Sequence, residues 1–261
     1  MERLMLMGGF FFLLFILERV IPQVNKNIGG KRHDINNLGL GMVNLFIGRY
    51  FALFTVYSLA KYLENLEIGI INMTPLDYRF KLLLGVVVLD CVNYWWHRLL
   101  HRNSFLMRFH TIHHTDRLLN ASSALRFHFF EVLMGHLFKL PFILLMGIPV
   151  EALLFYDVVF NINVYFHHSN IRINRNLDIL LSKIIVTPYL HRIHHSLKWK
   201  ESNSNFSSFL ILWDKIFGTF LPQREVSTRK YGIPGYIEDK YQHFSYMIKQ
   251  PFIEKIINNP K

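Results

Sequence analysis

Residues 80–101, FKLLLGVVVLDCVNYWWHRLLH, run an apolar segment directly into a pair of histidines. A membrane-spanning helix needs about 20 mostly apolar residues, and Phe80 to Trp96 reads as such a helix with Asp90 inside it. His97 and His101 follow at a spacing of i and i+4, so a helix presents both rings on one face. Extending that stripe backwards reaches Tyr94 and Asp90. An acid inside an apolar helix is costly unless it is paired, so Asp90 is expected to orient a histidine or another buried polar group.

Outward from this stretch the same theme repeats. Leu38 to Ala60 forms a second apolar run, interrupted by Arg49, and two more, 129–149 and 152–167, are split by the breaker Gly147-Ile148-Pro149. So short a connection predicts either a tight spanning pair or a hairpin dipping into one leaflet. Near the N-terminus, LMLMGGFFFLLFIL lacks a basic leader and a small-residue cleavage site before Glu18-Arg19, and reads as a retained membrane segment. The fold class expected is therefore all-α: a helical, multi-pass integral membrane protein. Its divisions are N-terminal membrane segments over 1–80, a histidine-bearing domain over 81–221 and a polar tail over 222–261.

Charge orients the chain. Arg98, Arg102, Arg108, Arg117 and Arg126 crowd 97–128, and fourteen Lys or Arg follow residue 169. By the positive-inside tendency both regions belong on the cytoplasmic face. The net charge of +11 accompanies a mean hydropathy of +0.21, and basic residues flank apolar runs. Anionic lipid headgroups fit that pattern, and nucleic acid does not. A single cysteine, Cys91, excludes a disulfide framework and any CxxC site.

Metal chemistry must then use imidazole or carboxylate, and twelve of the fourteen histidines lie between 97 and 195. HTIHH supplies His110, His113 and His114, HRIHH supplies His191, His194 and His195, and YFHHSN supplies His167 and His168. On a helix, HxxHH sets the first ring beside both others, able to grip one metal or to divide between two. Counting back from His168 gives Asn161 and Asp157 as a second polar stripe. Isolated His33, His136 and His243 are assigned no function. One HxxxH alone would fit a basic interfacial helix, and pH sensing would fit scattered histidines. Three clusters on one face point instead to metal. A zinc site takes about four ligands, so the clustered histidines suit two metals. Imidazole does not choose between iron, copper, zinc and nickel. No HExxH occurs, and the Glu-x-x-His pairs of carboxylate-bridged bundles are missing.

In order and spacing, DCVNYWWHRLLHR, RFHTIHHTD, ALRFHFFE, FHHSN, TPYLHRIHHS and LWDKIFGTF resemble the fatty acid hydroxylase and sterol desaturase superfamily of integral-membrane di-iron proteins. The resemblance implies that His97, His101, His110, His113, His114, His168, His191, His194 and His195 ligate two iron ions, with zinc an alternative occupant of purified protein. His128, His167, Glu131, Asp90, Asn161 and Asp157 remain candidates for further ligands or for groups behind them. His128 and Glu131 match an element usually written FHPxE, with Phe129 in place of its proline. Asn203 and Ser207 of NSNFS depart from the usual Asp and Gly. Trp213, Asp214 and Gly218 read as an aromatic anchor, a cap and a turn glycine. No catalytic side chain beyond the metal site and no organic cofactor site is indicated.

The implied activity is dioxygen-dependent hydroxylation of a lipid C–H bond at the cytoplasmic membrane boundary. The same cage also serves desaturation or C-methyl oxidation. Substrate would enter from the bilayer and electrons from a separate donor protein. Tyr94, Trp95, Trp96, Phe109, Phe127 and Phe166 either line the lipid path or pack at the interface. A non-catalytic metal-binding or transport protein is the competing class, but a transporter places ligands near the midplane of several helices, whereas these histidines sit at segment ends.

Overall fold

The computed structural model describes residues 2–25, 30–222 and 230–254, and among them there is no β-strand, only three isolated bridges. Helix α1 covers Glu2–Val20. Helix α2, Lys31–Ala52, passes through a π-turn at Leu53–Tyr57 into α3, Ser58–Asn65. The expected run 38–60 thus lies inside a longer rod. Asp77 opens α4, Tyr78–Arg102, by accepting from the Arg79 amide at 2.9 Å, an ordinary N-cap. The boundary expected at 80/81 therefore falls within a helix.

Asn103 then does two jobs. Its amide closes α4 onto Leu99 O at 2.9 Å, and its side chain caps α5, Ser104–His114, through the Leu106 amide at 3.1 Å. This one-residue break lets the histidines of α4 and α5 face a common interior. A 3-10 turn at Ala121–Leu125 leads to α6, Phe129–Met146. After the expected breaker comes α7, Val150–His168, and then α8, Arg175–Leu181. Helix α9, Pro188–His194, carries proline in its first turn, where the missing amide hydrogen costs nothing. Short α10, Trp199–Ser202, and α11, Leu212–Ile216, precede a 3-10 turn at Asp239–Gln242 and α12, Phe244–Ile253.

Helix α4 packs on α5, α6 and α7, while α2 lies against α6 and α1 against α7. An apolar core of Val56, Ala60, Ile71, Val86, Leu89, Ile143, Ile148 and Tyr156 fills the bundle. Described residues of both flanking regions contact the histidine-bearing segment. Glu18, Asp34 and Asn37 from the first two helices are buried against the loop after α5, and α12 packs on α5 and α2. The residues of 230–254 are thus part of the folded body, with Met247 and Gln250 at most 1% exposed.

Among the described residues, two helices, spanning Lys31–Asn65 and Phe129–Met146, are long and apolar enough to cross a membrane. Their apolar side chains mostly face outward: Phe46, Phe54, Leu144 and Leu145 are exposed, as are Phe12 and Ile16 of α1. Helices α4 and α7, also expected to span, are less apolar because each turns polar groups into the body, among them buried Asp90, Asn93 and Asn163.

The α6–α7 corner depends on two glycines. Gly147 has φ +63° and Gly69 has φ +104°, and a Cβ on Gly69 would stand 2.3 Å from the Gly147 amide nitrogen. Gly69→Ala is expected to cost at least the 1–3 kcal/mol, roughly, of a disfavoured backbone conformation. A lowered unfolding midpoint in detergent is the check, and an unchanged midpoint would contradict this packing.

Candidate metal centre

The ends of α4, α5, α7 and α9 converge on nine histidines in two groups. One potential ligand atom from each of His97, His101, His110, His114 and His194 lies within 4.8 Å of the others, and the same holds for His113, His168, His191 and His195. The two HxxHH segments divide in opposite senses. His110 and His114, one turn apart, join the five-membered group and send His113 to the other. His191 and His195 join the four-membered group and send His194 back. Each short helix thus serves both groups.

The interior is shielded from bulk solvent. Eight of the nine histidines are at most 3% exposed, and although His97 as a whole residue is half-buried, its Nε2 is buried without a hydrogen-bond partner. Phe127 stacks on the His113 ring at 4.3 Å between centroids, and Phe206 lies against His97, His101 and His194. Burial first, and neighbouring imidazoles second, hold His113, His114, His191, His194 and His195 well below the usual histidine range. These rings are neutral, which is the form that ligates metal.

Groups behind the rings fix where the remaining proton sits. Nδ1 of His97 donates to Phe206 O at 2.7 Å, of His168 to Val164 O at 2.8 Å, of His194 to Ser204 O at 2.9 Å and of His113 to Arg126 O at 3.3 Å. Nδ1 of His110 donates to Glu131 Oε1 at 2.8 Å. A carbonyl or carboxylate can only accept, so the proton resides on Nδ1 and the lone pair on Nε2. His113 Nε2 and His168 Nε2 are then two lone pairs facing each other at 3.1 Å. Nothing between neutral rings so arranged forms a hydrogen bond, and a shared cation resolves the contact. Ligands at right angles on bonds of about 2.1 Å stand about 3.0 Å apart, close to the 3.0–3.1 Å separations along His113–His168–His191–His195 and along His101–His114–His110. The residues present fit metal ions.

A model of the fatty acid hydroxylase family matches residues 82–219, a stretch that contains every one of these histidines. The chain belongs to the fatty acid hydroxylase family. It is 34% identical to ornithine lipid hydroxylase OlsE of Rhizobium tropici over 67% of this chain and 51% of that protein. It is 30% identical to alkylglycerol monooxygenase of Xenopus tropicalis over 83% and 47%. With sphinganine C4-monooxygenase 1 of Arabidopsis thaliana it shares 30% identity over 53% of each. The chain thus spans about half the length of these relatives. No solved structure matches.

The remaining candidates of this family member take other places. Glu131 stands directly behind His110. His167 packs its ring on His191 at 4.0 Å and faces Asn163 through Nδ1. His128 caps α6, accepting from the Phe130 amide at 3.2 Å, and its Nε2 donates to Ile248 O. Phe129 is the first residue of α6, where proline is equally at home, so the departure from FHPxE leaves the turn intact. Asp90 binds no histidine. It accepts from Tyr156 Oη at 3.0 Å, Trp213 Nε1 at 2.7 Å and the Leu210 amide at 3.1 Å. Seven residues of helix, about 10 Å of rise, separate it from His97. Asp157 accepts from Tyr57 Oη, and Asn161 donates to the Asp157 carbonyl.

Three features were not anticipated from sequence. The Ser204 and Phe206 carbonyls serve His194 and His97, and only the unusual NSNFS marked that loop. Asn163 bridges His167 and the Ser208 carbonyl. His33 Nε2 meets the buried Asp116 at 2.9 Å, within a network that also includes Asn37, Ser123 and Arg126. His243 Nδ1 contacts exposed Arg32, and His136 sits beside Phe51.

Proposed function

We propose that the nine histidines hold two iron ions and that the protein hydroxylates a lipid C–H bond with dioxygen. The observation carrying this reading is the facing lone pairs of His113 and His168 inside a closed array of buried imidazoles. Bound there, iron supplies the redox chemistry for attack on a bond that no side-chain acid or base breaks. The chain's own part is to hold nine imidazoles inward, to fix the tautomers of His97, His113, His168 and His194 from behind and to exclude water with Phe127 and Phe206. Hydroxylation is favoured over desaturation by the relatives, which are named a hydroxylase and monooxygenases.

The protein sits in the membrane through several helices, with the histidine ends toward the cytoplasm. The outward apolar faces of α1, α2 and α6 and the basic segments after α4 and α7 support that placement. Electrons come from a separate donor protein.

Purified protein is expected to contain about two iron atoms per chain. Cells expressing it under isotopically heavy dioxygen are expected to accumulate a lipid with label in a new hydroxyl. An unlabelled product lacking two hydrogens would identify a desaturase, and no lipid change at all would favour a binding or transport protein. Glu131→Ala removes the acceptor behind His110, and losing such a partner typically weakens metal binding 10–100-fold, roughly. Chelator competition measures this, and wild-type affinity would remove Glu131 from the site.

A further inference from the structure

We propose that Asp214 is a positioning residue that tunes the five-histidine group selectively, acting through the peptide groups of the 203–219 strap. The inference rests on the two-metal reading above.

In a trans peptide the C=O and N–H point in opposite directions, so an anchor on the N–H aims the carbonyl on the other side. The peptide joining Phe206 to Ser207 is held in this way. Its N–H donates to Asp214 Oδ2 at 2.9 Å, and its carbonyl accepts from His97 Nδ1 at 2.7 Å. The peptide joining Ser204 to Asn205 repeats the arrangement one link further out. Its N–H donates to Thr219 O at 2.9 Å, and its carbonyl accepts from His194 Nδ1 at 2.9 Å. Thr219 is itself tied to Asp214, with its hydroxyl on Oδ1 at 2.7 Å and its amide on the Asp214 carbonyl at 2.8 Å. The Phe206 amide adds a further bond to Oδ1 at 2.8 Å.

One fully buried carboxylate thus sets the two carbonyls that fix the tautomers of His97 and His194. Both histidines belong to the five-membered group. Asn205, between the two carbonyls, has φ +53° and locks the strap to α9 by donating to Leu190 O at 3.3 Å. The same assembly reaches α4, because Thr219 Oγ1 lies 2.8 Å from Tyr94 Oη, three residues before His97. In the four-membered group, His113 and His168 take their acceptors from Arg126 and Val164, outside the strap. Asp214 therefore has a route to one group and none of this kind to the other.

The test uses iron(II)-loaded full chain in detergent, titrated with EDTA while the iron remaining is counted. The equivalent belonging to the five-histidine group is identified as the one lost in His97→Ala. Asp214→Asn places an amide N–H₂ against groups that are themselves donors. It is expected to release that equivalent at 10–100-fold lower EDTA, roughly the effect of removing a partner behind a ligand, and to leave the other equivalent unmoved. Thr219→Val keeps both backbone bonds to the Asp214 carboxylate and is expected to shift the same equivalent by less. Equal shifts of both equivalents in either variant, or a shift in neither, would overturn the assignment. A wild type that binds no iron would instead overturn the metal reading, and this inference with it.

Discussion

His114→Ala is expected to lose at least one metal equivalent per chain and to lower the proposed lipid hydroxylation by about 10³-fold or more. The rate figure follows from the several kcal/mol a bound metal contributes, at 1.36 kcal/mol per tenfold. His114 is the most exacting choice because its Nε2 lies 3.1 Å from both His101 Nε2 and His110 Nε2. Its ring also stacks on His195 of the other group, 4.6 Å between centroids. Alanine there removes the middle member of one group and loosens a wall of the other. His243→Ala, at an exposed site contacting Arg32, is the matched control and should keep wild-type metal. Elemental analysis of the two variants side by side decides the matter: undiminished metal in His114→Ala would end the two-metal reading.

Much of this centre was legible because its chemistry is local. A spacing of i, i+3 or i+4 places rings on one helix face whatever the rest of the chain does, so the HxxxH and HxxHH patterns named eight of the nine clustered histidines, and the FHHSN element supplied His168 through the family resemblance. Proline at 188 and the Gly147 break likewise act through their own backbone geometry. The division of the histidines was not legible. Whether His113 sits with His110 or with His191 depends on how α5 and α9 cross, and that is set by Asn103, by the 203–219 strap and by packing distant in sequence. Asp90 illustrates the same limit. A helical stripe says which face a residue occupies but not what meets it, and what meets Asp90 is Trp213, 123 residues away.

The outer polar network is where long-range contacts matter most, and it yields the largest expected loss of stability. Arg126 is completely buried. Its guanidinium donates to Ile112 O at 2.8 Å, Thr115 Oγ1 at 3.0 Å, Tyr241 O at 2.8 Å and Asn37 Oδ1 at 3.3 Å. One side chain thus ties α2, the end of α5 and the segment before α12 together behind the His113 ring, whose Nδ1 in turn uses the Arg126 carbonyl. The charge has a counterpart in Asp116. Burial opposes ionisation of that carboxyl, but His33 and Arg126 outweigh it and hold Asp116 well below the usual carboxylate range. Arg126→Met keeps much of the apolar volume and deletes the charge and all four hydrogen bonds. Breaking a buried ionic arrangement from one side costs about 3–5 kcal/mol, a large share of the 5–15 kcal/mol, roughly, of a typical domain. Denaturant unfolding should show that loss, and proteolysis should cut 230–254 faster than in wild type. Adding Asp116→Asn should not add its own full cost, because the two sites are coupled through one network in which Asp116 also pairs with His33 at 2.9 Å. A single variant within about 1 kcal/mol of wild type, the ordinary effect of an unremarkable substitution, would mean that the tail and α2 are held to the metal centre by apolar packing alone.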